Sequence, residues 1–502
     1  MLIQQLLVDN AFRHPDKIAF NWVEHEKRMT FTEAVQAMER TAGYLHHLGI
    51  RKGERVTIFA HNGLDYVYTM FGCFRLGAIA ALVNVKFADA LDYYLQDHTP
   101  SALVYTHDMR DVVLKAVNTL EKKPVLVCID EKQDGAESLP ELMAANFTPP
   151  PDPGDENAIA HLSYTSGTTG LSKGACLAHE PTMRATNCIA ERLRLSHRDV
   201  SLGPTALSSS FHLVANLMPP LHRGMTVNIM STWSQESGYE ALEKNEVTYF
   251  ASNATLLTDI LAESRKRGRP PKSLRLGLSG GGSVPLVLKK AWRDELKLPL
   301  VESYGQSELG GFVGLGLPEL LPDDHLAPVG RPLPDKNVRI FDEKGAEVPP
   351  GELGEICLAG GFMVGYWNRP EQTAQTLRDG FLHTGDAGTM SVNGLVTMRG
   401  RFSELITVAG KTWFPRDIEE LLTEQQGVRE AAVIGFPDAE LGQRPVAFYT
   451  GESDLDAETL KKAMSPRTSY NLSVLIIRHL DSFPMTPTGK IAKADLKAAQ
   501  LR

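Results

Sequence analysis

The sequence predicts an α/β protein: a large N-terminal domain of α/β sheets with a small β-barrel-like subdomain, then a small mobile α+β C-terminal domain. Three observations predict it. Short apolar runs alternate with helix-length amphipathic stretches to about residue 320, the pattern of parallel strands covered by helices. From about 325 to 400 the apolar runs are separated by Gly and Pro, which suggests an antiparallel or barrel-like sheet. Beyond Arg399-Gly400-Arg401-Phe402-Ser403, a candidate hinge, the chain has its own mix of strands and helices. The boundary is drawn there, giving domains 1–400 and 401–502.

Each element has a local reason. Thr30 or Thr32 caps a helix whose apolar positions run to Leu48, where Gly49 and Gly53 end it. Residues 55–60, 101–105 and 125–129 are short apolar strands, 77–84 reads as turn and strand, and a helix covers 65–76. Thr148-Pro149-Pro150-Pro151-Asp152-Pro153-Gly154 is an exposed connection. A second α/β stretch starts near 158, with strands at 158–164, 226–230, 247–251 and 274–278. Strands at 338–341, 354–359 and 394–398 form the barrel-like part. A helix over 415–422, a strand over 430–435 and a helix over 457–464 build the last domain.

Composition excludes several classes. Net charge is −9, which argues against a general nucleic-acid binder. The basic run Arg265-Lys266-Arg267-Gly268-Arg269 has no interleaved aromatics and reads as a solvated helix end. The five cysteines, Cys73, Cys128, Cys176, Cys188 and Cys357, form no Cys-x-x-Cys, which fits packed thiols in a reducing compartment. The N-terminus lacks a basic region before its apolar residues, and no apolar run reaches the roughly 18 residues of a membrane span. A cytoplasmic protein without an integral membrane segment is expected.

The chemistry concentrates in Tyr164-Thr165-Ser166-Gly167-Thr168-Thr169-Gly170-Leu171-Ser172-Lys173-Gly174. Glycines allow a tight backbone, successive N–H groups make an anion-binding concavity, and Lys173 adds positive charge. The loop follows an apolar strand, so it reads as a phosphate cradle; the alternative is a flexible surface loop. It is not Gly-x-x-x-x-Gly-Lys-[Ser/Thr], because only Leu171 and Ser172 separate Gly170 from Lys173. Four weaker segments accompany it. Tyr304-Gly305-Gln306-Ser307-Glu308 offers an aromatic face and a hard oxygen donor suited to magnesium. Thr384-Gly385-Asp386 places an aspartate in a glycine turn, where it accepts hydrogen bonds from a diol. Gly400-Arg401 offers a fixed guanidinium. Thr488-Gly489-Lys490 delivers a charge near the C-terminus.

In that order and spacing, the five segments make the chain resemble the adenylate-forming (AMP-binding) superfamily, acyl-CoA synthetase type, over essentially its whole length. The resemblance implies an ATP-dependent carboxylic acid–CoA ligase that forms an acyl-AMP and then an acyl-CoA thioester, releasing AMP and pyrophosphate. The alternative is an acyl-AMP ligase that loads a carrier protein. By the same resemblance, Thr165, Ser166, Gly167, Thr168, Thr169 and Gly170 would hold the ATP phosphates with Lys173 close by. Tyr304, with Gly305, Ser307 and Gly281 around it, would receive adenine. Asp386 and Arg401 would bind ribose. Glu308, and secondarily Thr165, would hold Mg²⁺. Lys490 would bridge the carboxylate and the α-phosphate, making Lys490, Glu308 and His212 the catalytic set. Phe211, His212, Gly280 and Gly282 would border the acyl pocket, and Ala409, Gly410 and Lys411 would line the CoA thiol tunnel after the small domain rotates.

Four positions depart from the family pattern: Ser172 stands where proline is usual, Ser307 for threonine, Ser403 for Asp or Lys, and residues 467–472 for a frequent Tyr-Lys-x-Pro segment. The expected pocket segments, such as 206–215 and 280–284, are small or apolar. They hold no Lys or Arg for a second carboxylate and no Asp for an amine. An aliphatic or aryl acid is therefore expected over an amino acid, with no nucleic-acid partner and a homodimer as the candidate assembly.

Overall fold

The computed structural model describes residues 1–165, 172–282, 284–317, 328–486 and 491–500. Its architecture follows from four sheets among those residues. The first runs Gly365–Tyr366, Gly174–Ala178, Ile159–Tyr164, Ile79–Leu82, Arg55–Phe59, Ala102–Tyr105, Val125–Cys128, Glu137–Ser138. The second runs Gly311–Gly316, Leu300–Gln306, Leu276–Ser279, Tyr249–Ser252, Val200–Gly203, Thr226–Ile229, Ile18–Trp22, Lys27–Thr30. The inner strands of both sheets pair in parallel, as continuous apolar runs predict.

One boundary moves. A break near residue 158 does not divide these sheets. Ile18–Trp22 pairs with Thr226–Ile229, through Phe20 opposite Val227, so the N-terminal hairpin closes the edge of the second sheet. Ile159–Tyr164 and Gly174–Ala178 belong to the first. Local apolar pattern marks a strand but not its distant partner.

Thr30 starts the helix Phe31–His47 with a capping box. Its hydroxyl accepts from Glu33 N at 3.2 Å, and Glu33 Oε2 accepts from Thr30 N at 2.7 Å. Apolar residues of that helix (Met38, Leu45) and of Leu64–Leu76 (Met70, Phe74) share one buried core with Val56 and Ile58 of the first sheet and Val227 and Ile229 of the second. The two sheets thereby close on the same helices, and their strand ends are held in fixed relation.

The third sheet is antiparallel, as expected: Asn337–Phe341, Gly354–Ala359 and Phe381–Met390, with Leu377–Arg378 and Val396–Arg401 on the last. The fourth joins Lys411–Trp413, Ile406–Val408, Gly442–Gly451 and Val428–Asp438, with Ile476–His479 parallel to Gly442–Gly451. Period-two alternation buries both of its faces. Val433 and Ala447 pack on one side with Ile418, Leu421 and Leu460; Ile434 and Phe448 pack on the other with Leu496. The protein thus has a large N-terminal domain and a small C-terminal one. No helix among the described residues is long and apolar enough to cross a membrane.

Candidate active site

The phosphate-loop segment rises from the antiparallel pair Ile159–Tyr164 and Gly174–Ala178, with Tyr164 opposite Gly174. Thr165 N donates to Lys173 O at 3.0 Å and closes the neck of the loop. Ser166, Gly167, Thr168, Thr169 and Gly170 lie outside the described residues, and so does Lys490. The neck is braced from the side: Tyr93 Oη donates to Ser172 O at 2.5 Å, and Tyr94 Oη to Ser172 Oγ at 3.2 Å. Ser172, where the resemblance expects a proline, therefore accepts at its hydroxyl oxygen from Tyr94. Below it, Tyr164 Oη donates to Asp97 Oδ2 at 3.0 Å.

Lys173 points its ammonium at the ring of Tyr366, 4.3 Å from the centroid, a cation–π contact. Tyr366 Oη donates to Glu308 Oε1 at 2.8 Å. Tyr366 reaches this position because Gly365–Tyr366 pairs with Gly174–Ala178 on the edge of the first sheet. Burial, and next the Glu308 carboxylate, raise the Tyr366 pKa, so its hydroxyl stays a donor at neutral pH. One side chain thus joins the phosphate-loop lysine to the expected metal-binding glutamate. Sequence reasoning missed Tyr366; a Gly-Tyr-Trp run carries no catalytic signature.

Tyr304, Gln306, Asp386 and Arg401 form a second group. Tyr304 is buried, and its Oη donates to Asp386 Oδ2 at 2.7 Å; Gln306 Nε2 donates to the same oxygen at 2.7 Å. Arg401 Nε lies 3.0 Å from Asp386 Oδ1, because Asp386 and Arg401 are direct cross-strand partners. Asp386 was expected in a glycine turn. It lies instead within the strand Phe381–Met390, where Gly385 takes φ +70°. That left-handed conformation suits glycine and lets one strand residue deviate without ending the strand. Tyr304 and Gly305 also lie in a strand, Leu300–Gln306, with a register shift between them; Gly305 is exposed.

The Asp386 position is supported from behind. Glu355 Oε1 accepts from Gly385 N at 2.9 Å, while Glu355 Oε2 lies 2.8 Å from His383 Nδ1. Ser210 Oγ donates to Ser307 Oγ at 2.8 Å, tying the start of the expected acyl segment to the expected adenine segment.

On the acyl side, Gly280 is required by close packing. A Cβ there would lie 2.4 Å from Phe211 Cε2 and 2.4 Å from Ser303 Oγ. Gly281 and Gly282 follow at the strand end and are exposed. His212 opens a π-helical turn, His212–Leu217, a rare geometry that concentrates at functional sites. It is fully buried, Nδ1 donates to Thr205 O at 2.8 Å, and burial lowers its pKa to about 4. At neutral pH it is therefore a neutral imidazole with its Nε2 lone pair turned inward and no partner for that atom among the described residues.

The remaining expected residues sit in the small domain. Ala409, Gly410 and Lys411 form the tip of a hairpin between Ile406–Val408 and Lys411–Trp413, and all three are exposed. Ala409 and Gly410 take φ +47° and +77°. The segment carrying Lys490 springs from an antiparallel bridge between Met485 and Ile491.

Comparison with known proteins gives the family. The chain is 31% identical over 476 residues to a feruloyl-CoA synthase of Amycolatopsis sp, covering 93% of each chain. It is 28% identical over 486 residues to the fatty acid–[acyl-carrier-protein] ligase ScoC of Streptomyces coeruleorubidus, covering 94% of this chain and 91% of that protein. Among solved structures, o-succinylbenzoate CoA synthetase of Bacillus subtilis, in complex with its acyl-adenylate intermediate, superposes with a TM-score of 0.85 at 27% identity, covering 98% and 97% of the two chains. The family model for the C-terminal domain of AMP-binding enzymes matches residues 417–490. With the model for AMP-binding enzyme matching residues 7–367, the chain belongs to the AMP-binding enzyme family.

Proposed function

We propose that the two groups around Lys173 and Asp386, with Lys490 and the phosphate loop, carry both half-reactions of acid–CoA ligation. The chain is an AMP-forming acid–CoA ligase that works through an acyl adenylate, with ATP and CoA as substrates. The observation that carries the residue assignment is the joining of distant motif segments by direct contacts. Lys173, Tyr366 and Glu308 form one chain, and Tyr304, Asp386 and Arg401 the other.

A carboxylate is a poor acyl donor because its leaving group would be oxide. Attack of one of its oxygens on the α-phosphorus of ATP expels pyrophosphate and leaves an acyl phosphate anhydride. Both reactants are anionic, so positive charge must be fixed where they meet. Lys173 and residues 165–170 hold the phosphates; Asp386 and Arg401 hold the ribose, with Tyr304 and Gln306 fixing the Asp386 carboxylate. Glu308 is half-buried with one oxygen anchored by Tyr366, which fits a hard oxygen donor to Mg²⁺, with Thr165 at the adjacent neck. When bound, Mg²⁺ supplies charge neutralisation at the phosphates. Lys490 is assigned to the carboxylate and α-phosphate of the first step. In the second, a thiolate attacks the acyl carbon and AMP leaves, with Ala409, Gly410 and Lys411 lining the thiol path. His212, neutral and enclosed, serves with Phe211, Gly280 and Gly282 as a wall of the acyl side. The domain boundary is placed between Gly400 and Arg401, supported by the 3₁₀ turn Phe402–Glu404 that follows the last strand of the third sheet.

The acid is read as aliphatic or aryl with an apolar acyl group, which the small and apolar lining supports. A carrier-protein phosphopantetheine thiol is the second reading for the acceptor, favoured by the likeness to ScoC. We place the protein in the cytoplasm, supported by five free buried cysteines, and as a homodimer. Pyrophosphate release over a panel of carboxylic acids, with CoA, holo carrier protein or neither, tests the reading. Release with an apolar acid and thioester formation on CoA are expected. No release with any acid, or preference for a glycine-type amino acid, would contradict it.

A further inference from the structure

The two domains meet at a buried cluster of four charged groups that no step above uses. Arg416, on the small-domain helix Pro415–Thr423, donates from Nη2 to Glu302 Oε1 at 3.1 Å, from Nε to Glu420 Oε1 at 2.8 Å and from Nη1 to Met398 O at 3.3 Å. Glu302 lies two residues before Tyr304 on the strand Leu300–Gln306, and its other oxygen accepts from Lys289 Nζ at 2.9 Å. Glu302, Arg416 and Glu420 are 3%, 8% and 3% exposed.

The cluster divides evenly. Glu302 and Lys289 belong to the large domain; Arg416 and Glu420 belong to the small one. If the domains part along Arg416–Glu302, each half retains an internal counter-ion. A buried bridge that leaves a bare charge when broken is costly to open. Neither Glu302 nor Arg416 is left bare, so their contact is built to detach and re-form; the Met398 carbonyl and the neighbouring Arg399–Asp417 pair, at 2.8 Å, part along the same line. In the arrangement where it is closed, the hairpin tip at Ala409, Gly410 and Lys411, assigned above to the thiol path, is exposed. The closed contact therefore belongs to the first half-reaction.

Resting on the two-step ligase reading, we propose that Arg416 is a positioning residue whose clasp on Glu302 holds the small domain in the adenylating arrangement and opens for thioester formation. Arg416 touches no substrate; it sets the partition between the two steps.

Two variants move that partition in opposite directions. Arg416→Met/Glu420→Gln removes the small-domain half with its charge balanced and leaves Glu302–Lys289 in place. Pyrophosphate release with acid and ATP should fall about tenfold, a typical coupling between two conformations, while thiolysis of supplied acyl-AMP by CoA stays at the parent rate or rises. Lys289→Met removes the partner Glu302 keeps when the domains part, so it tightens the clasp. Thiolysis should slow several-fold with adenylation at the parent rate. Equal losses in both half-reactions, no change in either, or the same sign from both variants would overturn the clasp. If one variant is not recovered folded, the other decides by its own sign. A parent protein that releases no pyrophosphate with any acid would instead overturn the ligase reading, so the two failures are distinguishable.

Discussion

Tyr366 couples two groups assigned to the proposed reaction, Lys173 and Glu308, so its two contacts separate by substitution. Tyr366→Phe keeps the ring beneath Lys173 and removes the hydrogen bond to Glu308. A hydrogen bond to a charged group is worth about 1.5–3 kcal/mol, so adenylation should fall about 10- to 150-fold. Tyr366→Leu removes the ring as well and should lose more. Pyrophosphate release at saturating acid, as a function of ATP, measures both; parent-like kinetics in Tyr366→Phe would remove Tyr366 from the site. At this scale motif spacing singled out Lys173, Glu308, Asp386 and Arg401, which the structure brings into two contact groups. The sequence hid Tyr366, Gln306 and Tyr94. Their roles come from strand pairing and side-chain direction, and a tyrosine or glutamine has no chemistry that marks it in one dimension.

At the scale of the element, local rules were sound wherever the cause was local. Thr30 and Glu33 announced a helix start and form the capping box. Thr30→Ala should cost about 1 kcal/mol. A thermal melt should show a Tm lower by about 1 °C with parent activity per folded molecule; an unchanged Tm would contradict the cap's contribution. The same rules misread one motif segment. Thr384-Gly385-Asp386 looked like a turn because glycine usually breaks strands. It is a strand segment whose neighbours continue the ladder, Asp386 opposite Arg401. The glycine shifts the strand without ending it, which puts Asp386 against both Tyr304 and Arg401.

Across the whole molecule, the fold class and the two-domain order were legible, because apolar runs and their spacing encode layers. The crossing of the N-terminal hairpin into the second sheet was not, since it depends on a pairing between residues 20 and 227. Nor was the burial of four histidines. Burial lowers the pKa of His98 and His161 to about 3, and of His179 and His212 to about 4. Each titrates near 6.5 when unfolded. Below that pH the unfolded chain takes up protons that the folded chain refuses, so stability is full above about pH 7 and falls as the pH drops towards 4. The slope is up to about 1.4 kcal/mol per pH unit for each group. The Tm should be level from pH 8 to 7 and fall steeply from 6.5 to 5; a level Tm across that whole range would contradict the burial of neutral imidazoles.

The proposed reaction turns on one triphosphate being served from both domains, by the glycine-hydroxyl loop of the large one and by Lys490 of the small one. Lys490→Ala tests this by measuring the two half-reactions separately. Acyl-AMP formation should fall by at least about a hundredfold, as loss of a charge that stabilises the transition state predicts, while thiolysis of supplied acyl-AMP by CoA should keep close to the parent rate. Equal losses in the two half-reactions would contradict the account.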